Sequence, residues 1–143
     1  VMEQIKNEFN SYQGHAIENI IRELILYKNQ QTIGKIHLDI TAIGNWWDRK
    51  GTAEIDLVAQ NKNGIILGEF QYRNKPMEYD ELADLVERKQ KLLLQNGKIP
   101  SGKIEYIFFS KKGFTPQAQK YAEQINAELI DLEKLTQLYD NKK

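Results

Sequence analysis

Two short runs of this 143-residue chain read as β-strand yet carry acids inside them. The first is Glu54-Ile55-Asp56-Leu57-Val58-Ala59 and the second Ile65-Ile66-Leu67-Gly68-Glu69-Phe70-Gln71-Tyr72. Asn63-Gly64 between them is a strong hairpin signal, so the runs are expected to pair antiparallel. Because side chains alternate along a strand, Glu54, Asp56 and Val58 should share one side of the first, and Leu67, Glu69 and Gln71 one side of the second. Asp56 and Glu69 then come roughly opposite each other, within a register step. Like charges so placed destabilise a sheet by up to about 1 kcal/mol, and a divalent cation offsets that repulsion. Magnesium takes carboxylate and water oxygens, and it turns a bound water into a nucleophile against a phosphodiester. A plainer reading has Glu54 and Asp56 at a solvated sheet rim and Glu69 paired with Arg73 or a nearby lysine. Spacing alone leaves both readings open.

Composition narrows the chemistry. No cysteine occurs, which excludes disulfides, thiolate nucleophiles and cysteine-bound zinc, so any metal must bind oxygen or histidine. Twenty basic residues balance twenty acidic ones, which removes the bulk electrostatic argument for nucleic-acid binding without excluding a local one. The hydrophobic share of 41% suits a folded domain, and no apolar run approaches the ~20 residues that span a bilayer. Membrane association is not expected. The polar segment Val1 to Asn10 lacks the apolar stretch of a secretory signal, so a cytoplasmic location is the default. The length suits one domain over residues 1–143, and the Val1-Met2 start fits a piece of a longer protein or a tag remnant.

The elements that must position the acids follow from periodicity. Ile17, Ile20, Ile21, Leu24 and Ile25 have the spacing of one helix face within Tyr12 to Lys28. Lys35 to Trp47 reads as a strand, followed by the two acid-bearing strands. Tyr79 to Asn96 resumes a helical period closed by Asn96-Gly97. The continuous apolar run Ile104 to Ser110 marks a strand covered on both faces, expected near the sheet centre. Thr115-Pro116 opens a helix to about Ile125, Glu128 to Leu132 forms a short strand, and Glu133 to Tyr139 a last helical stretch. The order αβββαβαβ predicts an α/β domain whose mixed central sheet is flanked by helices.

The acid-bearing hairpin resembles the acid, loop, Glu-x-Lys signature of the PD-(D/E)XK, or restriction-endonuclease-like, nuclease superfamily. With Ile43-Gly44-Asn45-Trp46-Trp47-Asp48 ahead of it, the segment is similar to a domain attached C-terminally to archaeal and bacterial P-loop ATPases of the AAA type. The resemblance covers roughly Gln13 to Ser110 in element order, and its specific motifs lie within Ile43 to Tyr72. It implies a restriction-endonuclease-like sheet, magnesium or manganese held by Asp56, Glu69 and the carbonyl of Phe70, DNA as partner, and an ATPase domain in the same or a longer chain. Position 71 would carry the lysine that activates the attacking water. Here it is Gln71, which can hydrogen-bond a water but brings no positive charge to the phosphate, so the departure falls on the catalytic step.

The helices offer replacements. On a helical wheel Lys89 falls inside the apolar stripe of Leu82, Leu85, Val86, Leu92 and Leu93. Its stem either snorkels along apolar surface or carries the ammonium to the carboxylates in place of the missing lysine. Glu18, at the edge of the first helix's apolar arc, is the candidate third metal ligand, with an exposed helical glutamate as the alternative. Arg73, Lys75, Lys111 and Lys112, with Lys103, line either a phosphate groove or a solvated rim. Of Trp46 and Trp47, adjacent on a strand, one is expected in the core and the other partly exposed. His15 and His37 lack ligand-like spacing, and no glycine loop for phosphate occurs. Three functions stand open: a metal-dependent nuclease, with Asp56, Glu69, Gln71 and Lys89 as catalytic group; a non-catalytic module that binds DNA or a partner protein; and a docking surface of Phe70, Tyr72 and the tryptophans. A second copy of the chain is an allowed partner.

Overall fold

The fold described here is a computed structural model, covering residues 15–96 and 102–140. Helix α1 (His15–Tyr27) leads into a small hairpin of β1 (Thr32–Ile33) and β2 (Ile36–His37), and then into β3 (Ile40–Trp47), β4 (Glu54–Asn61) and β5 (Gly64–Gln71). The next helical stretch has three parts: α2 (Tyr79–Asp84), a π-helical turn (Leu85–Lys89) and α3 (Gln90–Gln95). Strand β6 (Lys103–Ser110), helix α4 (Pro116–Gln124), strand β7 (Glu128–Ile130) and helix α5 (Leu132–Asp140) complete it. The sheet order is β3-β4-β5-β6-β7. Its first two pairings are antiparallel and its last two parallel, which makes the mixed sheet expected from the element order.

Two cores lie on its two faces. Ile17, Ile21, Leu24 and Ile25 of α1 pack with Leu57, Ala59, Ile66, Ile107 and Phe109, joined by Leu135 of α5. Leu82, Leu85 and Leu93, with Ala118 and Ala122 of α4, pack on Ile55, Ile65, Leu67, Tyr106 and Phe108. Strand β6 therefore feeds both cores, which is why its sequence is apolar without alternation. It lies between β5 and β7, one place from the sheet centre.

Several expected boundaries move for identifiable reasons. The strand expected from Lys35 breaks into a small hairpin and β3 because side-chain amides take over the ladder there. Asn29 Nδ2 donates to the Ile40 carbonyl and its Oδ1 accepts from Ile40 N–H, while Asn61 Oδ1 accepts from Asp39 N–H. In the β4–β5 hairpin, Asn61 pairs with Gly64, leaving Lys62-Asn63 as the loop. Gly64 is needed for space: a Cβ there would stand 1.7 Å from the Lys103 carbonyl oxygen. Thr115 caps α4 as expected, its side chain accepting from Ala118 N–H, with proline in the first turn. The Tyr12 start of the first helix and the Gly97 cap lie outside the described residues.

Candidate metal and nucleic-acid site

The regular alternation expected through β4 does not hold. Gly44 faces Val58 in the β3–β4 ladder, but two residues later Trp46 faces Ile55, three residues back along β4. One extra residue in β4 makes a bulge around Asp56, and Ile55 turns to the same core that Val58 packs against. Glu54, Asp56 and Val58 therefore do not share a face, and the bulge re-aims Asp56. Arg22 of α1 donates from Nη1 to the Asp56 carbonyl at 2.6 Å, satisfying a group the bulge withdraws from the ladder.

Asp56, only 8% exposed, lies against the end of β5, where its Oδ2 accepts from Phe70 N–H at 2.9 Å. Its charge stands close enough to Glu69 to raise the proton affinity of that carboxyl. The sequence-predicted pair is thus brought together. On the other side of Asp56 stand Glu18 of α1 and Glu54, each offering a carboxylate oxygen, and the three ligand atoms lie within 4.8 Å of one another. Glu54 Oε1 is buried without a hydrogen-bond partner. A buried carboxylate oxygen left unsatisfied is costly, and this donor set of hard oxygens fits a divalent cation. Glu54, which the plainer sequence reading left at a solvated rim, stands inside the cluster; its register place beside Trp47 depends on the bulge.

Glu69 is pushed up to about 9, first by burial and then by the Asp56 charge, against the opposing pull of Lys89. The Lys89 Nζ stands 2.7 Å from Glu69 Oε1, with both side chains mostly buried. Lys89 closes the π-helical turn, whose wider winding offsets the side chains that follow from a regular 3.6 period. The ammonium therefore reaches the acids and does not snorkel to the rim.

Gln71 is 5% exposed and held at both ends of its amide, its Nε2 donating to the Lys75 carbonyl at 2.8 Å and its Oε1 accepting from Arg73. Arg73 also pairs with Glu81. A cleft of about 400 Å³ opens here, lined by Glu69, Gln71, Arg73, Glu81, Asp84 and Lys89 among others. Lys111 Nζ bonds Asn74 Oδ1 at 3.0 Å and lies 4.4 Å from the Tyr72 ring centroid; Lys112 beside it is exposed. Lys103 begins β6 at the far end of the sheet, so it does not belong with the other four basic residues. Trp46 packs on the α2 side, while Trp47 is 58% exposed. His37 is exposed on the small hairpin, away from the acids.

The mixed five-stranded sheet with helices on both faces matches the restriction-endonuclease-like fold. The chain aligns over 95% of its length with 30% of the MspJI restriction endonuclease, solved in complex with a 27-mer oligonucleotide, at a TM-score of 0.57 and 14% identity. It also aligns, over 82% of its length and 57% of the other chain, with the crystal structure of AF1548, a protein of unknown function, at a TM-score of 0.52 and 16% identity. The chain belongs to the DUF234 family, archaeal and bacterial proteins of unknown function, which it matches over residues 1–90. Among curated proteins it is 36% identical over 62 residues to the uncharacterized protein MJECL04 of Methanocaldococcus jannaschii, a match covering 43% of this chain and 13% of that relative's length.

Proposed function

We propose that this domain binds DNA and cleaves phosphodiester bonds with magnesium or manganese, and that it works as part of a larger protein carrying a P-loop ATPase domain. The observation that carries the reading is the pairing of Glu69 with Lys89 at the end of β5, where Asp56 of the neighbouring strand accepts from Phe70 N–H. Asp56, Glu69 and the Phe70 carbonyl would hold the cation, with Glu18 and Glu54 as further oxygen donors. When bound, the cation supplies a water made acidic enough to attack phosphorus and charge to offset that of the phosphate. Lys89 brings the positive charge that Gln71 lacks, from a helix instead of from β5. Gln71 orients Arg73, and Arg73 with Lys75, Lys111 and Lys112 places basic groups where a phosphate backbone would run. The fold shared with MspJI and the small share of the archaeal relative that this chain spans both favour a nuclease-fold module within a longer polypeptide.

A second reading, a DNA- or protein-binding module without catalysis, draws on the same Gln71. Both ends of its amide are already held by protein groups, which fixes its orientation toward Lys75 and Arg73 in competition with a water. Incubation with supercoiled and branched DNA plus manganese separates the two. The nuclease reading expects nicking by the wild type that disappears in Asp56→Ala and in Glu69→Ala. An intact substrate together with an unchanged melting temperature on adding manganese would refute it.

A further inference from the structure

The loop between β3 and β4 stands at the same end of the sheet as the acids, because β3 ends and β4 begins beside them. Asp48 holds its form: Oδ1 accepts from Thr52 N–H at 2.7 Å and Ala53 N–H at 3.0 Å, and Oδ2 from the Thr52 hydroxyl at 2.5 Å. Gly51 supplies the left-handed backbone at φ 69° that closes the turn. The loop is thus set before any ligand arrives, with Arg49 and Lys50 both exposed at its tip. At its root stands Trp47, the most exposed large hydrophobic side chain among the described residues. Trp47 is the ladder partner of Glu54, so its indole and the Glu54 carboxylate lie on one side of the sheet, beside Glu18 and Asp56. On the other side, Arg88 reaches the Thr52 carbonyl at 3.5 Å while its guanidinium grips Asp84, a wall of the cleft. An exposed aromatic ring, followed after one intervening residue by two exposed cations, is a combination that takes a base face and its neighbouring phosphates.

Resting on the nuclease reading above, we propose that this loop is a second DNA contact that selects substrates with an unpaired base beside the acids. Trp47 stacks on that base, and Arg49 and Lys50 bind the phosphates flanking it. A fully paired duplex offers phosphates to the loop but no free base face to the indole.

The test is a binding titration of the intact chain in metal-free buffer, against a blunt duplex and the same duplex with a single-stranded overhang. Wild type should prefer the overhang. Trp47→Ala should lose that preference, weakening overhang binding roughly tenfold with little effect on the blunt duplex. The double variant Arg49→Ala/Lys50→Ala should weaken both ligands and reduce the salt slope of log affinity by about 2. Indole emission from wild type should fall on binding the overhang, a change that Trp47→Phe removes, and thermal melts confirm that each variant is folded. Folded variants that bind both ligands as wild type does would overturn the loop's role while leaving the nuclease reading intact. A wild type that neither binds nor nicks DNA would instead overturn the nuclease reading itself.

Discussion

Glu69 sets the behaviour of the site at the scale of single residues. Burial holds its proton up to about pH 9, well above the ordinary value of 4.5, so the folded state keeps a proton that the unfolded chain releases. The folded state is then the more protonated one, and stability should fall as pH rises from about 4.5 to about 9, by at most ~1.4 kcal/mol per pH unit. Glu69→Gln should flatten that slope, measured by urea denaturation across this range. A cation favours the ionised carboxylate, so magnesium binding at pH 7 should release a proton. Calorimetry in two buffers of different ionisation enthalpy reads that release directly, and identical heats in both buffers would count against Glu69 as a ligand. Lys89→Met should lower cleavage roughly 100-fold. Because it removes only the cation beside Glu69, the metal-induced rise in melting temperature should persist.

At the scale of elements, most of the architecture was legible. The helical stripe of Ile17 to Ile25, the apolar run of β6 and the Thr115-Pro116 cap each follow from a local rule, and each occurs where the residues place it. Three features were not legible. The β4 bulge depends on partners in α1 and β3, so no window of alternating residues reveals it. The π-helical turn resembles a slightly irregular apolar stripe until its neighbours fix the winding. The break ahead of β3 rests on Asn29 and Asn61, side chains that a strand pattern treats as silent. That Asp56 and Glu69 lie on adjoining strands was readable because the hairpin is local, whereas the approach of Glu54 to Glu18 was not, because it depends on an element far away in the chain. Gly68 gives an element-scale test: a Cβ there would stand 2.2 Å from the Ile107 carbonyl oxygen, so Gly68→Ala must push β5 and β6 apart. A loss of about 1–3 kcal/mol is expected in chemical denaturation.

For the whole molecule, equal numbers of acidic and basic residues conceal an uneven distribution. Arg49, Lys50, Arg73, Lys75, Lys111 and Lys112 occupy three loops at one end of the sheet, around a centre of carboxylates. DNA affinity should accordingly drop steeply with added salt despite the zero net charge. No helix among the described residues is long and apolar enough to cross a membrane. If an ATPase domain shares the native chain, nucleotide should change cleavage by the longer protein and leave this domain alone unaffected, which a nicking assay on both would show. The extra residue in β4 bears on how family members are compared. An alignment that enforces strict strand periodicity across it will slide by one, setting Ile55 or Leu57 of this chain against another member's acid and reporting a lost carboxylate where none is lost. Counting back from the Gly-Glu of the neighbouring strand avoids that error, because the hairpin register between Leu57 and Gly68 lies beyond the irregularity.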